Sequence, residues 1–229
     1  MSEPILINLE EVGRAVNVPE EYITPPVPGA RPDQKVLIQS WDKAAIDRAV
    51  SYLDHYRAEK AHIAVYGHVD AWIVMAIVTA LRPDCQVDYA QPNHGHARVG
   101  GEDAPAIRVM PFEPITVGGE PNPDIYFDVS VIEDQDKVFL TYRADDPNKE
   151  GMHNFDIENL SRLVLPAVDP DKDLYLFGVG AYPVQVQITN TYCQVARSVS
   201  TANHSDEVYH CAFSRNPAIQ PGDTEPVRK

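Results

Sequence analysis

Two stretches of this chain repeat one pattern, and that repetition limits the folds open to it. Residues 61–78 (AHIAVYGHVDAWIVMAIV) align with residues 172–189 (KDLYLFGVGAYPVQVQIT). Each stretch reads as an apolar strand, a glycine, a short turn, a bulky aromatic residue and a second apolar element. A strand that ends in a polar, proline-containing turn follows each copy. The sequence therefore predicts an α/β chain of two Rossmann-like repeats related by a pseudo-twofold axis.

Clusters of proline and glycine mark the expected boundaries of these repeats. We predict a first repeat at residues 1–117, a linker at 118–123 and a second repeat at 124–216. The polar stretch 217–229 contains three prolines, so we expect an extended or disordered tail there.

Hydrophobic periodicity predicts the elements within each repeat. For the first repeat we predict strands at 4–9, 35–40, 62–66 and 86–90, a helix at 42–60 with Asp42 as its N-cap, and a helix buried nearly all round at 70–81. For the second we predict a hairpin at 124–133 and 137–143, a helix at 155–165, and strands at 173–177, ending at Gly178, and 207–213. Residues 182–192 fit a helix that begins with Pro183, or a strand with alternating apolar residues. Residues 197–201 are predicted to form a loop, closing over a ligand or solvated.

The charge balance excludes one large class of partner. The chain has 229 residues, of which 34 are acidic and 19 basic, for a formal charge of −15. Such a chain lacks the basic surface that binds duplex DNA, although helix N-termini can still hold a small anion. Residues 1–11 do not form a secretory signal, and the apolar stretch 69–81 is too short to span a bilayer. We therefore expect a soluble, cytoplasmic protein with no membrane partner.

Ligands of doubly wound sheets bind at the carboxyl ends of strands, so the two repeated turns form the predicted site. His68 is the candidate for proton transfer because imidazole titrates near neutral pH. The candidate binding residues are Gly67, Asp70, Trp72, Arg82, Gln91 and Asn93 in the first repeat, and Gly178, Gly180, Tyr182, Ser214, Arg215 and Asn216 in the second. The alternatives are structural: glycines that permit a tight turn, aromatic residues in the core, and arginines on the surface. His94 and His96 could bind a divalent metal, but no third ligand is identifiable, so the metal site is unknown.

The two halves resemble the third family of ring nucleases of type III CRISPR systems, which is related to the CRISPR-associated Rossmann fold. The resemblance rests on the stretch Val65-Tyr66-Gly67 with Trp72 in the first half. In the second half it rests on the hairpin 125–143, residues 155–160 and 165–169, and the strand 174–180. In the first half the resembling region extends from Ala61 to Val99.

The resemblance implies a protein of antiviral defence that binds cyclic tetra-adenylate or short RNA. Members of the family cleave their ligand with a manganese-assisted reaction in an assembled oligomer, which implies manganese and a homo-oligomer for this chain too. The family carries a His where this chain has Arg82, and an Asp-Pro-Arg turn where it has Gln91-Pro92-Asn93. Ser214-Arg215-Asn216, in the corresponding region of the second repeat, also lacks the Asp.

These departures lead us to expect weak or absent ring-nuclease activity. We therefore expect a CRISPR-associated protein that binds a cyclic oligoadenylate, with cyclic tetra-adenylate favoured, or short RNA. One alternative is a non-catalytic sensor or protein-interaction module of a defence system. Another is an unrelated nucleotide-binding enzyme with a Rossmann-like fold.

Overall fold

The computed structural model of the protein describes residues 3–23, 36–67, 69–92, 107–148, 155, 157–203 and 207–227. The first part of the chain contains, in order, β1 (Ile5–Asn8), α1 (Leu9–Ala15), β2 (Glu20–Ile23), β3 (Val36–Gln39), α2 (Lys43–Tyr52), α3 (Asp54–Ala58), β4 (His62–Tyr66), α4 (Ala71–Leu81), β5 (Gln86–Pro92) and β6 (Ile107–Met110). The second part contains β7 (Thr116–Val117), β8 (Asp128–Asp134), β9 (Lys137–Arg143), a 3₁₀ helix (Ile157–Arg162), β10 (Val164–Leu165), β11 (Asp173–Val179), α5 (Tyr182–Val195), β12 (Ser198–Asn203), β13 (Val208–Ser214) and β14 (Thr224–Pro226).

Two larger sheets organise these elements into a mixed α/β fold. The first sheet has the order β1-β4-β5-β6, and the second has the order β14-β13-β12-β11-β9-β8. In the first, β1, β4 and β5 are parallel and β6 is antiparallel to β5. In the second, β9, β11 and β12 are parallel, while β13 is antiparallel to β12. The strands β1-β4-β5-β6 therefore match β9-β11-β12-β13 in order and in direction.

The helices α4 and α5 link corresponding strands, and they pack against each other. Helix α4 also contacts β4 of the first sheet and β13 of the second, whereas α5 contacts β11 and β12. All but two residues of α4 are buried, as expected for a helix covered from both sides. One continuous hydrophobic core includes residues from both sheets. None of the helices that the structure describes is long and apolar enough to cross a membrane.

Most predicted elements of the first half are confirmed, with one change in the helix predicted at 42–60. Asp42 caps that helix as predicted, because its carboxylate accepts a hydrogen bond of 2.7 Å from the Ala45 amide. The helix then divides into α2 and α3 at Leu53, whose ψ is 1°. Leu53 is also buried, so the break inserts this side chain into the core. The first half contains α1, β2 and β6 as well, which were not predicted.

Two predictions for the second half are wrong, each for a reason of tertiary contact, and the strand predicted at 173–177 is confirmed with a longer end. The helix predicted at 155–165 is a 3₁₀ helix followed by β10, because the end of that segment pairs with β7. The loop predicted at 197–201 is mostly β12, which pairs with β11. Gly178 lies inside β11, which continues to Val179.

The hairpin and the element at 182–192 have clear outcomes. The hairpin is confirmed as β8 and β9, although β8 begins only at Asp128. The element is the helix α5, with Pro183 in its first turn. Val184, Val186 and Ile188 alternate in sequence, yet all are buried because α5 is covered on most sides. In the predicted tail, β14 pairs antiparallel with β13. The boundaries predicted between the repeats, at 118–123, and before the tail, at 217, stay predictions.

A buried carboxylate joins the amino-terminal ends of the parallel strands in the second sheet. Asp173, only 2% exposed, accepts two hydrogen bonds from the guanidinium of Arg197, at 3.0 and 2.8 Å. It also accepts one from the hydroxyl of Ser198 at 2.7 Å and one from the amide of Asn216 at 3.1 Å. Burial by itself would raise the pKa of Asp173, but these donors outweigh burial and hold the pKa below its ordinary value.

We expect Asp173→Asn to lower the free energy of unfolding by about 3 kcal/mol at neutral pH, because Arg197 then keeps only the exposed carboxylate of Asp136, at 3.5 Å, and Ser198 and Asn216 lose a charged acceptor. The folded-state pKa lies below the unfolded-state pKa, so the stabilisation is present above the unfolded-state pKa. It is lost as the pH falls through the folded-state pKa. Denaturant unfolding at a series of pH values should therefore show a smaller acid-induced loss in the variant than in the wild type.

The matched control is Asp54→Asn, which removes the exposed carboxylate that pairs with Arg57. Exposed ion pairs contribute little, so this variant should unfold like the wild type. Equal losses in the two variants would contradict a structural role for Asp173.

Candidate functional site

The carboxyl ends of β1 and β4 meet at one edge of the first sheet. Asn8 ends β1 and caps α1, since its side-chain oxygen accepts a hydrogen bond of 2.9 Å from the Glu10 amide. Gly67 follows β4 with φ of 140°. A Cβ at this position would lie only 3.3 Å from the amide nitrogen of Leu9. Glycine thus lets the turn after β4 lie directly against the first turn of α1.

Both central helices begin without a side-chain cap. Asp70 precedes α4 and Ala181 precedes α5, and neither makes a side-chain hydrogen bond to the first turn of its helix. Neither first turn contains an acidic residue. The first amides of a helix have no partner within it and carry a partial positive charge. In α4 this applies to the amides of Ala71 and Trp72, because those of Ile73 and Val74 donate to the Asp70 carbonyl. In the first turn of α5 it applies to the Tyr182 amide alone, because Pro183 has no N–H and the Val184 and Gln185 amides donate to the Ala181 carbonyl.

Tyr182 brings the start of α5 to the edge of the first sheet. Its ring centroid lies 6.2 Å from that of Tyr89 in β5. Burial raises the pKa of Tyr182 well above its ordinary value, and the nearby Tyr89, Asp70 and Glu10 raise it further. Since Asp70 precedes α4 and Glu10 belongs to α1, the N-termini of three helices lie around this phenol. Its hydroxyl is buried and has no hydrogen-bond partner among the described residues.

Trp72 makes the reciprocal contact from the first half to the second. Its indole stacks on the His210 ring of β13, with centroids 4.7 Å apart and an interplanar angle of 8°. Trp72 is only 1% exposed, so its ring is part of the core and has no face open to a base. Tyr182 as a whole residue is half-buried, in contrast.

The carboxyl edge of the second sheet contains Gly180 and an arginine that the sequence interpretation missed. The carbonyl of Gly180 accepts a hydrogen bond of 2.8 Å from Gln185, and a Cβ here would lie 3.1 Å from that of Ala144. Arg143 ends β9 directly beside Val179. It is exposed, and no described carboxylate pairs with it. Arg143 lies next to β11 because β9 pairs with that strand. This neighbour cannot be recognised from the position of Arg143 in the sequence.

The structure does not bring Ser214, Arg215 and Asn216 to this edge. Because β13 is antiparallel to β12, its end lies beside the amino-terminal ends of β11 and β12. The guanidinium of Arg215 donates to the carbonyls of Ala196, at 2.7 Å, and Cys193, at 3.1 Å, at the end of α5. The hydroxyl of Ser214 donates to the backbone carbonyl of Asn216. The side-chain amide of Asn216 in turn donates to the carboxylate of Asp173.

Strand order also bears on the predicted correspondence between the turn at 91–93 and Ser214-Arg215-Asn216. The turn at 91–93 follows β5, and the strand that matches β5 is β12, not β13. The residues that correspond to this turn therefore follow Asn203, and Ser214-Arg215-Asn216 corresponds instead to the end of β6. For Gln91, in the turn at 91–93, the structure describes only the backbone, which pairs with that of Arg108 in β6.

Two further candidates have local partners, and the remaining ones are not described. Arg82 lies at the other end of α4, with its guanidinium carbon 4.8 Å from the centre of the Phe112 ring. Gly178 lies against Tyr142, because a Cβ at this position would overlap the Tyr142 ring. His68, Asn93, His94 and His96 lie outside the described residues.

Acidic groups are close to the edge of the first sheet, but they do not form a metal centre. Glu10 and Asp70 both raise the pKa of Tyr182, which is a sign of their proximity. Within the described ranges, no group of three or more His, Cys, Asp and Glu residues could hold a metal ion. Among the described residues, Glu10 and Asp70 therefore lack the further ligands that a manganese site needs.

Comparison of the chain with protein-family models gives no match, and comparison with curated proteins gives none.

The contact between Gly178 and Tyr142 can be tested directly. We expect Gly178→Ala to lower the free energy of unfolding by about 1–3 kcal/mol, because the added methyl must displace the buried ring. The loss should shrink when the same change is made in a Tyr142→Leu background. Denaturant unfolding of the single and double variants measures this coupling.

Gly180→Ala is the matched control, since the nearest atom to its new methyl group is the side chain of Ala144. It should cost less stability than Gly178→Ala. A Gly178→Ala protein as stable as the wild type would show that the ring does not require glycine.

Proposed function

We propose that this protein binds a cyclic oligoadenylate, with cyclic tetra-adenylate favoured over short RNA, at the edge around Tyr182. The observation that carries the proposal is the meeting of the uncapped N-termini of α4 and α5 beside a buried hydroxyl that has no described partner. Such amides can donate to phosphate oxygens without a side-chain cation. The half-buried Tyr182 offers a stacking surface for a base.

The matching strand order supports the two-repeat component of the proposal. We propose that β1-β4-α4-β5-β6 and β9-β11-α5-β12-β13 are two Rossmann-like repeats related by a pseudo-twofold axis. Trp72 and Tyr182 each contact the other half, through β13 and β5 respectively, but these two strands do not correspond in the matching order. A cyclic tetranucleotide has rotational symmetry of its own, so it can present similar phosphates to two similar turns.

The charges around the site set the expected strength of binding. Glu10 and Asp70 oppose a polyanion, whereas Arg143 favours one. Arg82 packs on an aromatic ring and Arg215 caps a helix, so neither is a free phosphate clamp. Binding should therefore depend mainly on backbone amides and remain modest in affinity.

Two alternative functions have specific support. The acidic surface and the engaged arginines favour a non-catalytic sensor or protein-interaction module of an antiviral defence system. The parallel strands and open helix N-termini are equally suited to an unrelated nucleotide-binding enzyme. For each of these functions we propose a cytoplasmic protein that acts as a homo-oligomer.

The hydroxyl of Tyr182 provides the sharpest test. We expect Tyr182→Phe to weaken binding of cyclic tetra-adenylate by about tenfold, the equivalent of one hydrogen bond. The same change should leave the free protein equally stable or more stable, because it deletes a buried group without a partner. Calorimetric titration and thermal unfolding measure the two effects separately.

Tyr192→Phe is the matched control, since the Tyr192 hydroxyl donates to the carbonyl of Pro166 at 2.9 Å. That variant should lose stability and keep its affinity. Unchanged affinity in Tyr182→Phe, or no binding by the wild type, would contradict the proposed site.

We expect cleavage of the bound ring to be slow or absent, well below about 1 per second. Arg82, Gln91 and Asn93 stand where the resembling family has a His, an Asp and an Arg, and none of them is a general base at neutral pH. Chromatography of the reaction products, with and without Mn²⁺, measures the rate. If residual cleavage occurs, His68→Ala should abolish it and leave binding intact, whereas turnover at an ordinary enzymatic rate would refute this expectation.

A further inference from the structure

The first sheet has an apolar edge strand with an open side. β1 forms the end of this sheet and pairs with β4 on one side. No other described strand pairs with it. Ile5 is 43% exposed and Leu6 is 45% exposed. An edge strand of this kind presents unpaired backbone groups to another strand.

The second sheet indicates what kind of strand fits this edge. Its strand β9 corresponds to β1 in order and direction, and β9 is covered by the antiparallel strand β8. The first sheet contains no described equivalent of β8. The place beside β1 therefore suits an antiparallel strand.

The two edges also differ in how they resist association. Strand β8 is an edge itself, and it carries Asp128, Glu133 and Asp134. Charged residues on an edge strand oppose pairing with another chain. The four residues of β1, Ile5–Asn8, include no charge. Among the described end strands of the two larger sheets, β6 contains Arg108 and β14 contains Glu225, whereas β1 contains no charged residue.

We propose that β1 pairs with β1 of a second copy of this chain, joining the two first sheets into one continuous sheet. Symmetry and the alternation of side chains fix the register. A twofold axis perpendicular to the sheet keeps each face continuous, so Leu6 lies opposite Leu6 of the second copy. Ile5 then lies opposite Ile7 of the second copy on the other face.

This register explains why β1 is apolar on both faces although it is an edge strand. Each cross-strand pair at Ile5, Leu6 and Ile7 joins two apolar side chains, and the exposed surface of Leu6 becomes buried against its own copy. A second copy is favoured as the occupant because a strand with this pattern is complementary to itself. The interface uses no residue of the proposed ligand site.

Sedimentation equilibrium of the full chain, without any ligand, tests the interface. The wild type should be a dimer, and Leu6→Lys should raise the dissociation constant at least about tenfold, because like charges then lie opposite each other. Ile132→Lys is the matched control, since Ile132 is an exposed apolar residue on the edge strand β8. It should leave the dimer unchanged.

A cross-link tests the register independently of stability. Leu6→Cys should form a disulfide-linked dimer under mild oxidation, because facing residues of antiparallel strands bring their Cβ atoms within disulfide range. Ile132→Cys should not, and the native Cys85, Cys193 and Cys211 are buried. A monomeric wild type, a dimer that survives Leu6→Lys, or the absence of the Leu6→Cys cross-link would overturn the proposal. None of these outcomes depends on whether the protein binds a nucleotide.

Discussion

The buried carboxylate of Asp173 is the interaction on which the second half of this protein depends. It accepts hydrogen bonds from Arg197, Ser198 and Asn216, and its own amide donates to the carbonyl of Asp136 in the turn between β8 and β9. Four segments that are distant in sequence thus converge on one charge. An ionised group this deeply buried is stable only when all its partners are present, so the network fixes how β9, β11, β12 and β13 begin and end.

This network makes the amino-terminal ends of the parallel strands in the second sheet different from their carboxyl-terminal ends. The amino-terminal edge is occupied by Asp173 and its donors, and Arg215 next to it caps the end of α5. Its polar groups are therefore used within the protein. The opposite edge contains the uncapped start of α5, with Gly180 and the exposed Arg143 nearby. Among the described residues, this second edge therefore keeps hydrogen-bonding groups that the Asp173 network does not use.

The helix pair extends this asymmetry to the first sheet. Helices α4 and α5 pack together between the sheets, and Tyr182 carries the start of α5 to Asp70 at the start of α4. Charge then determines what such a place can bind. Glu10 and Asp70 lower the potential around the phenol, so the amides of the helix N-termini must supply most of the attraction for an anion. This balance favours a small ligand held by many directed hydrogen bonds over a long polyanion.

The sequence by itself determined the α/β class, the Asp42 cap, the hairpin of β8 and β9, and the buried helix α4, because each depends on local spacing of apolar residues and turn chemistry. It also singled out Gly67 and Tyr182 through the internal repetition, and the structure places both near the carboxyl edge of the first sheet. Tertiary structure alone decided that Arg215 caps α5, that Gly178 makes room for Tyr142, and that Arg143 lies beside β11. The physical reason is that strand order and strand direction decide which residues become neighbours, and the local spacing of residues does not specify either. For example, Arg215 lies away from the carboxyl ends of β11 and β12 because β13 is antiparallel to β12.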